Sequence, residues 1–290
     1  MTLIELVERC SERLLRAGVS FGHGTTNAYD EAVWLVLWRL GLPLHELDGV
    51  AARVLTPAEI AAVETLVDER IASRKPAAYL TREAWLQGVP FCVDERVIVP
   101  RSLIAEPLAD GTLDRWLARG TKTVLDLCSG NGSLAVLAAL AWPEVTVDAA
   151  ELSADALAVA RLNVERHGLT ERVRLVHSDL FAALPGRYDL ILCNPPYVNA
   201  EAMAALPAEY RAEPALALAG GADGMDLVRR LLHEAPDHMT LEAVLVLEIG
   251  NEREHFERAF PRLECVWLDT SAGDDQVLLA TRAQLTQSLP

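Results

Sequence analysis

The chain reads as an α/β fold, a mostly parallel, doubly wound sheet with helices on both faces, preceded by a small helical module and a β-hairpin. Three observations predict it. From about residue 108 onward, seven short apolar segments alternate with helical stretches, the pattern of repeated βαβ units. Several segments, such as 188–193, are almost continuously apolar, as strands covered on both faces are. And 188–193 stops at once on Asn194-Pro195-Pro196-Tyr197, where two residues without a backbone donor end the strand and stiffen the loop. The expected division is a helical recognition module over 1–75, a hairpin linker over 76–107 and a sheet domain over 108–290.

Taken in order, Leu3, Leu6, Val7, Cys10, Leu14 and Leu15 recur at helical spacing. A loop over 21–27 contains Gly22, His23 and Gly24; a lone histidine between glycines points to a structural role. A helix over about 28–40 is stopped by Gly41 and Pro43. Thr56-Pro57-Ala58-Glu59 has the signature of an N-cap, a proline at the first helical position and a glutamate at the third, and opens a helix to about 73. This module holds no catalytic cluster and reads as a partner-recognition unit. Residues 76–100 read as a hairpin with its turn near Gly88 and an alternating strand over 91–99.

The strands of the sheet are expected at 123–128, 145–151, 173–177, 188–193, 243–249, 264–268 and 276–281. Only a short acidic turn, 269–275, separates the last two. A parallel crossover needs about a dozen residues, so this pair should be antiparallel.

Composition narrows the function. Of 290 residues, 51% are apolar, enough for a sizeable core, and 26 Lys+Arg against 42 Asp+Glu give a net charge of −16. That balance disfavours unaided binding to phosphate backbones, so no direct sequence-specific nucleic-acid binding is expected, and it suits a basic protein partner. Cys10, Cys92, Cys128, Cys193 and Cys265 are scattered without a CxxC pair. They read as free thiols of a reducing, cytoplasmic compartment, and no metal site is expected. The first residues carry Glu5, Glu8 and Glu12 along a helix rather than a basic and then apolar leader, and no apolar run could span a membrane.

The chemistry lies at the strand ends. The first strand leads through Asp126, Leu127 and Cys128 into Ser129-Gly130-Asn131-Gly132, where glycines let a ligand approach the backbone. Glu151 ends the second strand, where a carboxylate can accept both hydroxyls of a ribose. Asp179 follows the third and can take an adenine amino group, with Leu180 packing on the ring. After the fourth, the Asn194 side-chain oxygen and the Pro195 carbonyl can each accept one N–H of a planar –NH2 group, which Tyr197 can cover. A third glycine for a pyrophosphate cradle is missing. Three acids and no phosphate site suit an adenosine carrying a cationic amino-acid tail, which is S-adenosylmethionine.

At these residues the chain resembles the class I S-adenosylmethionine-dependent methyltransferases that methylate the side-chain amide of glutamine in proteins, over its full length. The resemblance implies a Rossmann-like, mostly parallel seven-stranded sheet. It makes the loop 126–132, with Cys128, Gly130 and Gly132, a cofactor loop, Glu151 the ribose acid, and Asp179-Leu180 the adenine pair. Asn194, Pro195, Pro196 and Tyr197 become the glutamine-binding loop and the catalytic group. Glu213-Pro214, with Leu216, Leu218, Gly221 and Gly224, is similar to a further family segment near the substrate. Ser-Gly-Asn-Gly-Ser replaces the commoner Thr-Gly-Ser-Gly-Cys, and Glu151 stands where Asp is often seen; both keep the chemistry.

One branch of that family acts on release factors and carries an Arg-Pro-Asp-Thr-Glu arm after the hairpin. Here the arm reads Val99-Pro100-Arg101-Ser102-Leu103-Ile104-Ala105-Glu106. With Gly22-His23-Gly24-Thr25-Thr26-Asn27, this resembles the branch acting on large-subunit ribosomal protein L3. Arg101, Glu106 and Glu213 are thereby implied substrate contacts. The alternatives are the release-factor branch, a DNA or RNA adenine amino-methyltransferase, and a non-catalytic ribosome-assembly factor. Against the nucleic-acid rival stand the acidic charge, the absence of a basic stripe and the lack of a large target-recognition domain, and a scaffold has no need of the four strand-end groups.

Overall fold

The structure, a computed structural model, describes residues 1–288. Three main helices build the N-terminal region. Leu3–Arg16 starts from a capping box in which Thr2 N–H donates to Glu5 at 2.7 Å and Glu5 N–H donates back to the Thr2 hydroxyl at 3.4 Å. Its buried stripe is Leu3, Leu6, Val7, Cys10 and Leu14, while Leu15, expected in that stripe, is 62% exposed. Adjacent positions on a helix diverge by about 100°, so Leu14 takes the buried face and Leu15 the outer one. Ala28–Arg39 is capped by Asn27, and Pro57–Ser73 by Thr56 with Glu59 in a second capping box.

These helices share a core with Val93, Val97 and Val99 of the following segment and with Ala156 and Val159 of the helix Ala154–Arg166. Within it Arg70 is fully buried. It donates to Glu31 at 2.9 Å, to Glu209 at 3.1 Å and to the Ser20 carbonyl at 2.9 Å. A buried guanidinium is tolerated because its charge and donors are matched in this way.

Strands β1 (Glu83–Leu86) and β2 (Val89–Cys92) form the hairpin. Its turn residues, Gln87 and Gly88, have φ of 50° and 74°, the pair of left-handed residues that a two-residue turn of matching twist requires. The expected strand over 91–99 ends early, at Cys92. Asp94 accepts the N–H of Arg96 at 3.1 Å and turns the chain. The alternation there reflects the burial of Val93, Val97 and Val99, not pairing in a sheet.

The main sheet contains β3 (Thr123–Leu127), β4 (Thr146–Glu151), β5 (Val173–His177), β6 (Tyr188–Cys193), β7 (Met239–Glu248), β8 (Val266–Thr270) and β9 (Gly273–Thr281), in the order β5-β4-β3-β6-β7-β9-β8. The first five are parallel; β9 runs antiparallel to both β7 and β8, as the short turn demanded. β7 starts four residues earlier than its apolar run, because its first part is largely exposed and pairs only near Tyr188. One face of the sheet packs Val124, Leu190 and Leu192 against the helix Ser133–Ala141. The other packs Leu125, Leu127 and Ile191 against the helix Asp226–Glu234. The chain runs outward from β3 to β5 and then returns to β6 on the far side of β3. That reversal opens a crevice at the carboxyl ends of β3 and β6. No helix among the described residues is long and apolar enough to cross a membrane.

Candidate active site

A cavity of about 370 Å³ lies at that crevice. Each of the four parallel strands β3 to β6 contributes to its wall: Cys128 and Gly130, then Glu151 and Leu152, then Asp179 and Leu180, then Asn194 and Pro196. Val97 and Ile98 close one side; Gly220, Gly221, Asp226 and Arg230 close another.

Local chain geometry places these groups. Cys128, Gly130 and Gly132 all have φ between 56° and 78°, so the backbone coils sharply after β3. Cys128 thus stands in this coil and not in the strand. Glu151 knots two loops together: its Oε2 accepts the Gly130 N–H and its Oε1 the Ser153 N–H, both at 2.9 Å. Gly130 leaves open space where a Cβ would stand, whereas a Cβ on Gly132 would lie 3.2 Å from Ala160. Gly132 therefore serves close packing against the helix Ala154–Arg166 and is not on the cavity wall.

Asp126 also stands behind the wall, not in it. It is fully buried. Its Oδ2 accepts the Ser129 hydroxyl at 2.5 Å and the Ala135 N–H at 3.0 Å, while Oδ1 has no partner. Burial pushes its pKa up to about 7 against these two hydrogen bonds. Its geometry is that of a clamp between the loop and the first turn of Ser133–Ala141. Asp179 does face the cavity and pairs with Arg230 at 3.1 Å, both side chains 49% exposed. Leu180, at φ 47°, is buried beside it.

In the loop after β6, Asn194 and Pro196 face the cavity and Pro195 is buried. Tyr197 turns away. Its hydroxyl donates to Glu248 Oε1 at 3.0 Å, and its ring fills the space beside Gly250, which a Cβ would overlap. A second segment clasps this loop: Val198 N–H donates to the Leu218 carbonyl at 2.8 Å and Gly220 N–H to the Val198 carbonyl at 2.9 Å. A Cβ on Gly220 would lie 2.7 Å from the Tyr197 Cα, and one on Gly224 would overlap the Tyr197 carbonyl.

The comparisons with known proteins agree in one direction. A family model described as "Methyltransferase small domain" matches residues 112–211. The ribosomal protein uL3 glutamine methyltransferase of Bordetella pertussis is 57% identical over 288 residues, covering 98% of this chain and 96% of that protein. The protein of the same name from Burkholderia pseudomallei is 54% identical, covering 98% and 95%. That of Neisseria gonorrhoeae is 47% identical, again covering 98% and 95%. The chain belongs to the family of ribosomal protein uL3 glutamine methyltransferases.

The branch resemblance read from the 99–106 arm and the 22–27 loop is borne out by these relatives, and so is the class I methyltransferase fold. Among solved structures, the hMettl16 catalytic domain in complex with an RNA hairpin aligns with a TM-score of 0.53 at 13% identity, over 77% of this chain and 81% of that one. At that identity the likeness speaks for the fold alone.

In this uL3 glutamine methyltransferase family member, three residues implied as substrate contacts, Arg101, Glu106 and Glu213, are not on the cavity wall. Glu106 accepts the Ser271 N–H at 2.7 Å and its hydroxyl at 2.5 Å, holding the β8–β9 turn away from the cavity. Glu213 is buried and paired with Arg101, which also lies over the Tyr210 ring at 5.3 Å from its centroid. Both build the frame behind the 194–197 loop, since a buried carboxylate is satisfied by the nearest guanidinium. His23, 2% exposed and 4.3 Å from the Tyr210 ring, belongs to the same frame.

Other residues escaped the sequence reading. Arg230 and Asp226 sit on an amphipathic helix, where nothing local distinguishes them from a solvated face. Glu248 had a signal, an acid at the end of an apolar strand, the same that marked Asp126 and Glu151. All five cysteines are free, and no cluster of metal ligands is found among the described residues.

Proposed function

We propose that the chain transfers the methyl group of S-adenosylmethionine to the side-chain amide nitrogen of a glutamine in ribosomal protein uL3. The observation that carries this reading is that Asn194 opens on the same cavity as Glu151, Asp179 and Leu180, in a chain whose near-full-length relatives carry that activity in their names.

The residues present fit the cofactor. The cavity has the size of a small-molecule site, and Gly130 leaves its backbone open to close approach. Both Glu151 oxygens accept a backbone N–H, yet each keeps a second lone pair for a ribose hydroxyl. Leu180 and Leu152 offer apolar surface for a base, and Asp179 an acceptor for its amino group. When bound, S-adenosylmethionine supplies an electrophilic methyl on a cationic sulfur.

The protein's task is positioning. An amide nitrogen is a poor nucleophile because its lone pair is shared with the carbonyl. Asn194 Oδ1 and the Pro195 carbonyl would accept its two N–H groups, leave more electron density on nitrogen and aim it into the cavity. Holding reacting atoms at about 3–3.5 Å supplies several kcal/mol of the barrier, and fixed acceptor dipoles add to it as charge builds. No strong general base is needed, since the methylated nitrogen loses its proton readily. Tyr197 acts by holding the loop, not by covering the amide.

The net charge of −16 supports a basic protein partner. The buried free thiols of Cys10 and Cys193 support a reducing, cytoplasmic setting. Replacing Asn194 with Ala separates binding from chemistry. Cofactor affinity should stay within about threefold while turnover falls by about a hundredfold or more. Full turnover in that variant would contradict the mechanism.

A further inference from the structure

Glu248 is the last residue of β7, 3% exposed and absent from the cavity wall. An enclosed carboxylate persists only where donors satisfy it. Three do. Oε2 accepts the Ser102 hydroxyl at 2.6 Å and the Leu103 N–H at 2.9 Å, and Oε1 accepts the Tyr197 hydroxyl at 3.0 Å. Burial raises its pKa and these donors pull against that shift. They come from two segments far apart in sequence, the arm after the hairpin and the loop after β6.

An apolar side chain in its place would strand the Ser102 hydroxyl, the Leu103 N–H and the Tyr197 hydroxyl without their acceptor. Here each oxygen holds a different segment. We propose that Glu248 is a positioning residue: through Tyr197 it fixes the Asn194-bearing loop, and through Ser102 and Leu103 it locks that loop to the 99–106 arm. Tyr197 is then held at both ends, by Glu248 at its hydroxyl and by Gly220 and Gly224 against its backbone. With the loop unable to rock, the Asn194 amide presents its acceptor at one height. For turnover, the inference rests on the proposed reaction.

Tyr197→Phe removes the contact and Glu248→Gln weakens it from the opposite end. The glutamine oxygen can keep Ser102 and Leu103, but its –NH2 then faces Tyr197, whose hydroxyl loses its charge-assisted bond. Each variant should lower kcat about tenfold, with KM for the cofactor within about twofold, and the double variant should be no slower than the slower single one. Hydrogen exchange should quicken over 194–199 in both. Glu248→Ala should also quicken it over 99–104. Undiminished kcat in Tyr197→Phe, losses that multiply in the double variant, or unchanged exchange over 194–199 would overturn the proposal. If the wild-type chain methylates no glutamine, the functional reading falls, while the exchange comparison still decides whether Glu248 fixes the loop.

Discussion

Arg101 grips Glu213 as a two-pronged fork, with Nη1–Oε1 and Nη2–Oε2 both 2.7 Å. The same carboxylate accepts the Val99 N–H at 2.8 Å, and His23 Nε2 lies 3.4 Å away. One buried side chain therefore joins the 22–27 loop, the 99–106 arm and the segment after the 194–197 loop. Three regions read separately in the sequence form one frame. That frame stands behind the cavity wall, on which Asn194 and Pro196 lie.

That frame should be acid-sensitive. Burial would raise the Glu213 pKa, but the His23 and Arg101 contacts outweigh it and lower it from 4.5 to about 2. The folded value lies below the unfolded one, so the stabilisation is complete above about pH 4.5 and is lost as pH falls toward 2. Its size is on the order of 3 kcal/mol. Glu213→Gln should melt several degrees lower than wild type at pH 7, and the gap should narrow steadily as pH falls from about 4.5 toward 2. A gap that stays constant with pH would rule out the charge as its source.

Asp126 should behave in the opposite sense. Its pKa is raised to about 7 in the folded chain, so the fold is favoured while the carboxyl is protonated. That advantage is lost as pH rises from about 4 through 7. An amide can keep both contacts, since its single oxygen can accept the Ser129 hydroxyl and the Ala135 N–H as Oδ2 does. The melting temperature of Asp126→Asn relative to wild type should therefore climb between pH 5 and pH 8. A flat difference would mean that Asp126 carries no such shift.

Much of the fold was legible because its signals are local. Continuous apolar runs marked the buried strands, a capping signature marked the helix start at Thr56, and a short turn marked the β8–β9 hairpin. The strand-end groups were legible too, since an acid closing an apolar run is out of place in a core. Long-range pairing was not. Nothing near Arg101 or Glu213 says that they meet across more than a hundred residues, nor that Tyr197 turns from the cavity toward Glu248. The 91–99 run misled because alternate burial against a helical core has the period of a strand.

The clasp on the 194–197 loop makes a prediction about glycine. Gly224 has φ 78°, and a Cβ there would overlap the Tyr197 carbonyl. Gly224→Ala should cost about 1–3 kcal/mol from strain and overpacking and lower turnover more than cofactor affinity. Gly49 meets nothing within 4 Å and lies in a short helix. Gly49→Ala should change stability by less than about 1 kcal/mol and leave turnover intact. Chemical denaturation and single-turnover rates on the two variants check this; equal effects would dissolve the argument for the clasp.

The most direct measurement is methyl transfer from labelled S-adenosylmethionine to purified ribosomal protein uL3, beside a release factor and a nucleic-acid control, with the modified residue mapped by mass spectrometry. The account predicts a single N5-methylglutamine on uL3 and none on the release factor. Label on the release factor alone would keep the amide chemistry and contradict the assignment of substrate. Label on nucleic acid alone would contradict the central claim.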